Sequence, residues 1–364
     1  MRILVIADSV FASRERTLLA RLEIGLADEG ESVLQALPRQ VLATLEPGVF
    51  ARSLAYSTRT FFLTRRLAVR RLAQSVRDIL RDEVGGIDVV HVFGGSAWGL
   101  AGELAGELKA ALAVEVWRFG LCERAAREWD FGGGSAPALF APDAVTEREL
   151  RRLAPRAQVF AAPWGVLPAD AREVLLPERA VSVMMVGTGR DGAAFAAALG
   201  GVVAAAKGTP DLLIFCDADA ARRADLWKVA RKLGVLDRLS LIEDLEARRD
   251  LVLEGDVLVH PEAAGEQRSL LMEAMARAIP VVAARDPRVS VLVEGTTARL
   301  VAGEQAGQWE AALRGLLTDV AGARALGASA RGVVREQRRA SAHVKAVLSG
   351  YGSLVATRSG QAKV

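Results

Sequence analysis

The chain is poor in the residues that build small stapled or metal-centred folds. Its 364 residues include two cysteines, Cys122 and Cys216, and three histidines, His91, His260 and His343, all far apart. Two cysteines cannot form a disulfide framework, and no cysteine pair has the spacing of a structural zinc site, so no metal is expected. Aromatic residues make up 5% of the chain, too few to interleave with the arginines as a base-stacking surface, which excludes nucleic acid as an expected partner. The longest uncharged run, residues 192–206, falls short of the ~18 apolar residues of a membrane span. Residues 1–7 form a short apolar run cut off by Asp8, unlike a secretory signal. These absences point to a cytoplasmic protein. Lysine is scarce as well, and the basic side chains are nearly all arginine. A GC-rich genome explains that bias as readily as anion recognition does.

What is present is a regular alternation. Residues 2–7 (RILVIA) read as a buried strand, residues 14–29 as an apolar-periodic helix stopped by Gly30, and residues 32–37 as the next strand. Residues 87–93 (IDVVHVF), a helix over 97–111 and a strand over 113–117 continue the pattern. After a Pro-containing stretch at 162–179 the alternation restarts, with strands at 181–186, 212–216, 239–242, 256–260 and 280–284 and helices between them. Continuous apolar strands separated by helices indicate parallel sheets covered on both faces. At roughly 150 residues per domain the length suggests two such units. Their expected limits are 1–168 and 169–340, followed by a C-terminal helix and frayed tail over 341–364. Two doubly wound sheets put their strand C-termini around a cleft, where ligands of open α/β sheets bind.

The most specific stretch is 256–284, DVLVHPEAAGEQRSLLMEAMARAIPVVAA. Asp256-Val257, Pro261, Leu270-Leu271, Glu273-Ala274-Met275-Ala276 and Pro280-Val281-Val282-Ala283 resemble the signature of the retaining, nucleotide-sugar-dependent glycosyltransferases of family four, which have the GT-B fold. Residues 88–92 (DVVHV), 163–166 (PWGV), Val186-Gly187 and 233–242 (LGVLDRLSLI) agree with it too. The resemblance implies a two-domain GT-B protein, with the donor in the C-terminal domain and a saccharide or lipid-linked acceptor held mainly by the N-terminal one. It implies sugar transfer with retention and no cofactor beyond the nucleotide-diphosphate sugar itself.

Elementary physics supports the same placement. A loop that leaves one strand and enters a helix near Ser269 aims the amides of Gln267, Ser269 and Leu270 outward, and the helix dipole adds partial positive charge suited to a diphosphate. One turn further, Glu273 can accept hydrogen bonds from two adjacent hydroxyls, as a ribose offers; the matching family residue does this. Gly187 and Gly189 would let the backbone approach the donor, with Arg190 and Arg268 neutralising its charge.

The sequence departs from the family at several points. The family's first glutamate, eight residues ahead of Glu273, falls on Gly265, which puts contact with the transferred sugar on the neighbouring Glu266. The first loop, DSVFASR, lacks glycine, and Trp117-Arg118 stand where the family often carries a histidine. Two other readings therefore remain. One is a GT-B binding or scaffold protein without turnover. The other is an NAD(P)-dependent oxidoreductase, because residues 187–192 (GTGRDG) spell the dinucleotide fingerprint after a strand, with Asp217 or Asp219 at the end of the next. His91 reads either as a core imidazole or as a residue facing the cleft. The arginine-rich amphipathic segment between Arg52 and Arg81 reads either as a solvated face or as a peripheral contact with anionic membrane.

Overall fold

A computed structural model describes residues 1–43, 52–58, 62–131, 136–207 and 211–361. The chain divides into two compact units, Met1–Trp164 with Ala340–Val364, and Gly165–Arg339.

The first unit is a seven-stranded parallel sheet. Its strands are β1 (Arg2–Ala7), β2 (Ser32–Pro38), β3 (Arg52–Tyr56), β4 (Val89–Phe93), β5 (Ala111–Glu115), β6 (Ala138–Ala141) and β7 (Gln158–Ala161), in the spatial order β3-β2-β1-β4-β5-β6-β7. β1 and β4 are buried because helices cover both faces, which is why they read as unbroken apolar runs. The first helix begins at Ser9, earlier than the expected residue 14, because the Asp8 carboxylate caps it through the Phe11 amide at 2.8 Å. The segment expected as one amphipathic helix from residue 52 is edge strand β3 followed by the helix Phe62–Ile79. Its residues 59–61, Arg59 included, lie outside the described residues.

The frayed tail expected at the end of 341–364 is also corrected. The helix Ala340–Gln361 runs through it, with Tyr351 and Leu354 buried against the first unit. Residues 362–364 of that expectation lie outside the described residues.

His91 belongs to the core of this unit. Its Nδ1 is 2.7 Å from the Tyr351 hydroxyl, and its Nε2 is 3.5 Å from Glu115, which accepts from the Trp164 indole at 2.7 Å. Burial pushes the Glu115 carboxyl up to about 8 and holds His91 well below the usual imidazole range. Glu115 is therefore protonated in the folded protein, whereas the unfolded chain ionises it from pH ~4.5 upward. Its contribution to stability is full below that pH and is lost as pH rises toward 8. Glu115→Gln keeps an acceptor for Trp164 without needing a proton. Between pH 5 and 8 the variant should gain on wild type by on the order of 3 kcal/mol, read from denaturant midpoints. His91 contributes the opposite slope below its ordinary pKa in both proteins, so the difference between them is the readout. A difference that does not change with pH would mean that Glu115 is ionised in the fold.

The second unit is a six-stranded parallel sheet of β8 (Val181–Met185), β9 (Leu212–Asp217), β10 (Leu239–Ile242), β11 (Val257–His260), β12 (Val281–Ala284) and β13 (Arg299–Val301), ordered β10-β9-β8-β11-β12-β13. The strand order reverses between β8 and β11, so the crevice outside their C-terminal ends is where an open sheet of this kind takes its ligand.

Candidate functional site

Two loops meet at that reversal, residues 186–191 after β8 and residues 261–268 after β11. His260 ties them at the base. Its Nδ1–H donates to the Val186 carbonyl at 2.8 Å, and burial keeps the ring neutral. Glu262 then turns its carboxylate onto the other loop, accepting from the Arg190 amide at 3.1 Å, the Asp191 amide at 2.7 Å and the Thr188 hydroxyl.

That geometry weighs against the dinucleotide reading. In a nucleotide fingerprint those amides would cradle a pyrophosphate, and here the protein's own carboxylate fills the place. Gly189 also has a packing reason to be glycine. Its φ is +71°, and a Cβ there would lie 2.2 Å from the Ala220 carbonyl oxygen. Asp217, one of the two strand-end aspartates of that reading, caps the helix Ala218–Arg223 through the Asp219 amide at 2.8 Å. Gly189→Ala should therefore cost roughly 2–5 kcal/mol, from left-handed strain plus a backbone collision, with no ligand present. Thermal unfolding of the unliganded protein checks it; an unchanged midpoint would return Gly189 to a purely ligand-facing role.

The second loop is fixed at its own turn. Ala264 and Gly265 both have left-handed φ, +51° and +67°, and the Gly265 amide donates to Asp286 at 2.8 Å. Asp286 is in turn held by Arg288 at 2.8 and 2.9 Å, contacts that help keep its carboxyl below the usual range despite burial. The next residue, Glu266, is buried, and its Oε1 lies 3.5 Å from Nη1 of the half-exposed Arg190. Arg190 and Glu266, singled out separately in the sequence, are thus brought together across the two loops.

The helix Ser269–Ala276 starts here. Arg268 precedes it in an extended conformation, and its own side chain makes no capping hydrogen bond. Five other helices, by contrast, are capped by an aspartate: Asp8, Asp143, Asp191, Asp217 and Asp319. Gln267, Arg268, Ser269 and Leu270 are buried at this entrance.

Glu273 is not the cleft residue free of structural duty that its position in the motif suggests. Its Oε1 accepts from Arg249 Nη1 at 2.9 Å, the same nitrogen donates to the Ser269 hydroxyl at 2.8 Å, and Arg249 Nε binds Glu246 at 2.9 Å. Arg249, Glu246, Glu262 and Asp286 all hold the site, and motif reading missed all four as site residues. The local signals were the i,i+3 pair of Glu246 and Arg249 and the closeness of Glu262 to the motif. Among the described residues no group of three or more His, Cys, Asp or Glu side chains is placed to hold a metal.

Residues 180–319 match the family model described as "Glycosyl transferases group 1". No curated protein matches the chain. Several solved structures share its GT-B fold. A sucrose-phosphate synthase from Thermosynechococcus elongatus superposes with a TM-score of 0.74 at 16% identity, over 98% of this chain and 100% of that one. HepE from Anabaena, in complex with UDP and glucose, gives 0.72 at 13% identity over 97% and 100%. WaaG, described as a glycosyltransferase involved in lipopolysaccharide biosynthesis, gives 0.64 at 15% over 95% and 98%.

Proposed function

From a chain with the GT-B fold whose residues 180–319 match the group 1 glycosyltransferases, we propose an enzyme that transfers a sugar from a nucleotide-diphosphate donor, with retention, to a saccharide or lipid-linked acceptor. The observation that carries this reading is the meeting of Arg190 and Glu266, from two different loops, at the start of the helix Ser269–Ala276. The diphosphate lies against the first-turn amides of that helix, where the helix dipole and the Arg190 and Arg268 guanidiniums favour negative charge. Glu273, held by Arg249, accepts from the ribose hydroxyls, and Glu266 accepts from a hydroxyl of the transferred sugar. As the glycosidic bond breaks, charge grows on the departing diphosphate. Donors already fixed in place stabilise that charge without reorganising, which is the main source of rate in such a site.

HepE carries UDP and glucose in its own crystal, which recommends UDP-sugars as the first donors to try. A thermal-shift panel of UDP-, GDP- and ADP-sugars beside NAD and NADP tests the reading. A donor present at ~100 times its Kd should add about 2.7 kcal/mol of stability. A shift from NAD or NADP, with none from any nucleotide sugar, would overturn it.

Peripheral membrane contact belongs to the proposal with a smaller footprint than the sequence suggested. Arg52, Arg65, Arg77 and Arg81 are paired with Glu83, Glu103, Glu107 and Asp78. Arg70 and Arg71, with the half-exposed Leu67, are exposed on the same helix and form the surface proposed for lipid. No described helix is long and apolar enough to cross a membrane.

A further inference from the structure

At the end of the first sheet away from its strand C-termini, β5, β6 and β7 begin beside the helix Trp98–Leu108 and the C-terminal helix Ala340–Gln361. Leu112, Pro137 and Gln158 at these strand starts, with Leu354 and Arg358 of the last helix, line a cavity of about 820 Å³. Its volume lies within the ~300–1,000 Å³ of small-molecule sites. Ligands of open α/β sheets ordinarily sit at the opposite end, so the sugar-transfer reading makes no use of this space.

Trp98, Trp129 and Phe131 give the cavity aromatic walls. The two indoles pack with ring centres 5.2 Å apart, and the Arg124 guanidinium lies 4.9 Å from the centre of the Trp98 ring. Gly102 and Gly106 stand on the neighbouring helix. A Cβ at 102 would sit 3.8 Å from Trp129 Nε1, and one at 106 would meet nothing within 4 Å, so the helix leaves open space beside the indole.

The charged and indole groups left without partners are all donors. Glu103 and Glu128 line the cavity too, but each is already held, by Arg65 Nε at 2.6 Å and by Arg124 Nε at 3.1 Å. Arg156 and Arg358 are exposed and pair with no carboxylate among the described residues. Trp98 is fully buried, and its indole N–H has no hydrogen-bond partner; the Trp129 N–H has none among the described residues either. A buried donor without a partner is costly, and an acceptor bound at this wall would relieve the cost. Guanidinium and indole nitrogens only donate, so the ligand atoms that meet them must accept. Two guanidiniums without a counter-ion select negative charge, and the indole pair selects a flat ring, which stacks offset on tryptophan.

We propose that this cavity is a ligand site of its own, for an aromatic anion whose ring lies on Trp129 and whose carboxylate or phosphate meets Arg156 and Arg358. The inference does not depend on the transferase reading.

The indole N–H signals of the full chain, from six tryptophans, give the test by nuclear magnetic resonance. The probes are 2-naphthoate and 2-naphthyl phosphate; the controls are 2-naphthalenemethanol, which keeps the ring and lacks the charge, and hexanoate, which keeps the charge and lacks the ring. Trp98→Phe and Trp129→Phe identify the two signals that matter. Both should move with at least one probe, bound at least tenfold tighter than either control, and the probe that binds tighter identifies the acid group. The N–H signals of Trp164 and Trp309, committed to Glu115 and to the Gly303 carbonyl, should stay in place. Arg156→Gln and Arg358→Gln remove exposed side chains with no partner to lose, so each should cut probe affinity at least threefold with the melting temperature unchanged. The proposal is overturned if the Trp98 and Trp129 signals ignore both probes, if either control binds as tightly as the probes, or if affinity survives replacement of both arginines. A nucleotide sugar should bind these variants as it binds wild type, which keeps the fate of this site separate from that of the transferase reading.

Discussion

An Arg249→Ala protein is expected to lose about 3–5 kcal/mol of stability and its nucleotide affinity with it. Arg249 is buried, and Nε and Nη1 of its guanidinium donate to Glu246, Ser269 and Glu273. Removing it leaves the Glu246 and Glu273 carboxylates without the cation they share, the situation in which buried ion pairs are most costly. The loss would also reach the ligand, because Glu273 is the proposed ribose acceptor and Arg249 fixes its rotamer. Glu273→Gln separates the two effects. The amide oxygen still accepts from Arg249, so the fold should stay within ~1.5 kcal/mol of wild type. Exchanging a charged acceptor for a neutral one should nevertheless weaken nucleotide-diphosphate binding by about 1.5–3 kcal/mol. Chemical denaturation and calorimetry on both variants give the test. An Arg249→Ala protein as stable as wild type would show that water, and not Arg249, compensates these carboxylates.

The same network shows where the sequence stops being readable. The central strands were legible because a strand buried on both faces must be apolar throughout, as in 2–7 and 87–93. Short edge strands carry no such constraint. β3 is made of Arg52, Ser53 and three mixed neighbours, and it is a strand because β2 offers a free edge, a tertiary fact. The C-terminal helix was obscured in the same way: Gly352, Ser353 and Ser359 look like a tail, yet Tyr351 and Leu354 dock on the first unit. In the candidate site, the helix starting at Ser269 was legible through its motif. Arg249 stands 24 residues before Glu273, and Asp286 stands 21 after Gly265; long-range partners of this kind leave no local spacing to detect. Glu262 was visible as a carboxylate close to the motif, but nothing in the sequence says that it caps the opposite loop.

Glu266→Ala should reduce turnover at least tenfold, about 1.4 kcal/mol in the barrier, while nucleotide binding is retained. The reasoning starts from Gly265, where the family resemblance expects a carboxylate. The backbone there has φ +67°, and its amide is held by Asp286, so a side chain at 265 would carry left-handed strain of about 1–2 kcal/mol. The loop is built around glycine at that point, which moves the available carboxylate one residue on. Glu266 is pinned between this turn and the helix entrance and meets Arg190 at 3.5 Å. A buried carboxylate beside a half-exposed arginine at a helix start can accept a sugar hydroxyl while the arginine meets phosphate. A scaffold without turnover would need neither group. Gly265→Glu is accordingly not expected to restore or raise activity, because the strained turn would have to rearrange before the new carboxylate reached the sugar. Steady-state rates with the donor chosen from the thermal-shift panel decide the matter. Robust transfer by the Glu266→Ala protein would remove Glu266 from the mechanism, whereas a wild type that binds donor and transfers nothing would mark the site as a relic.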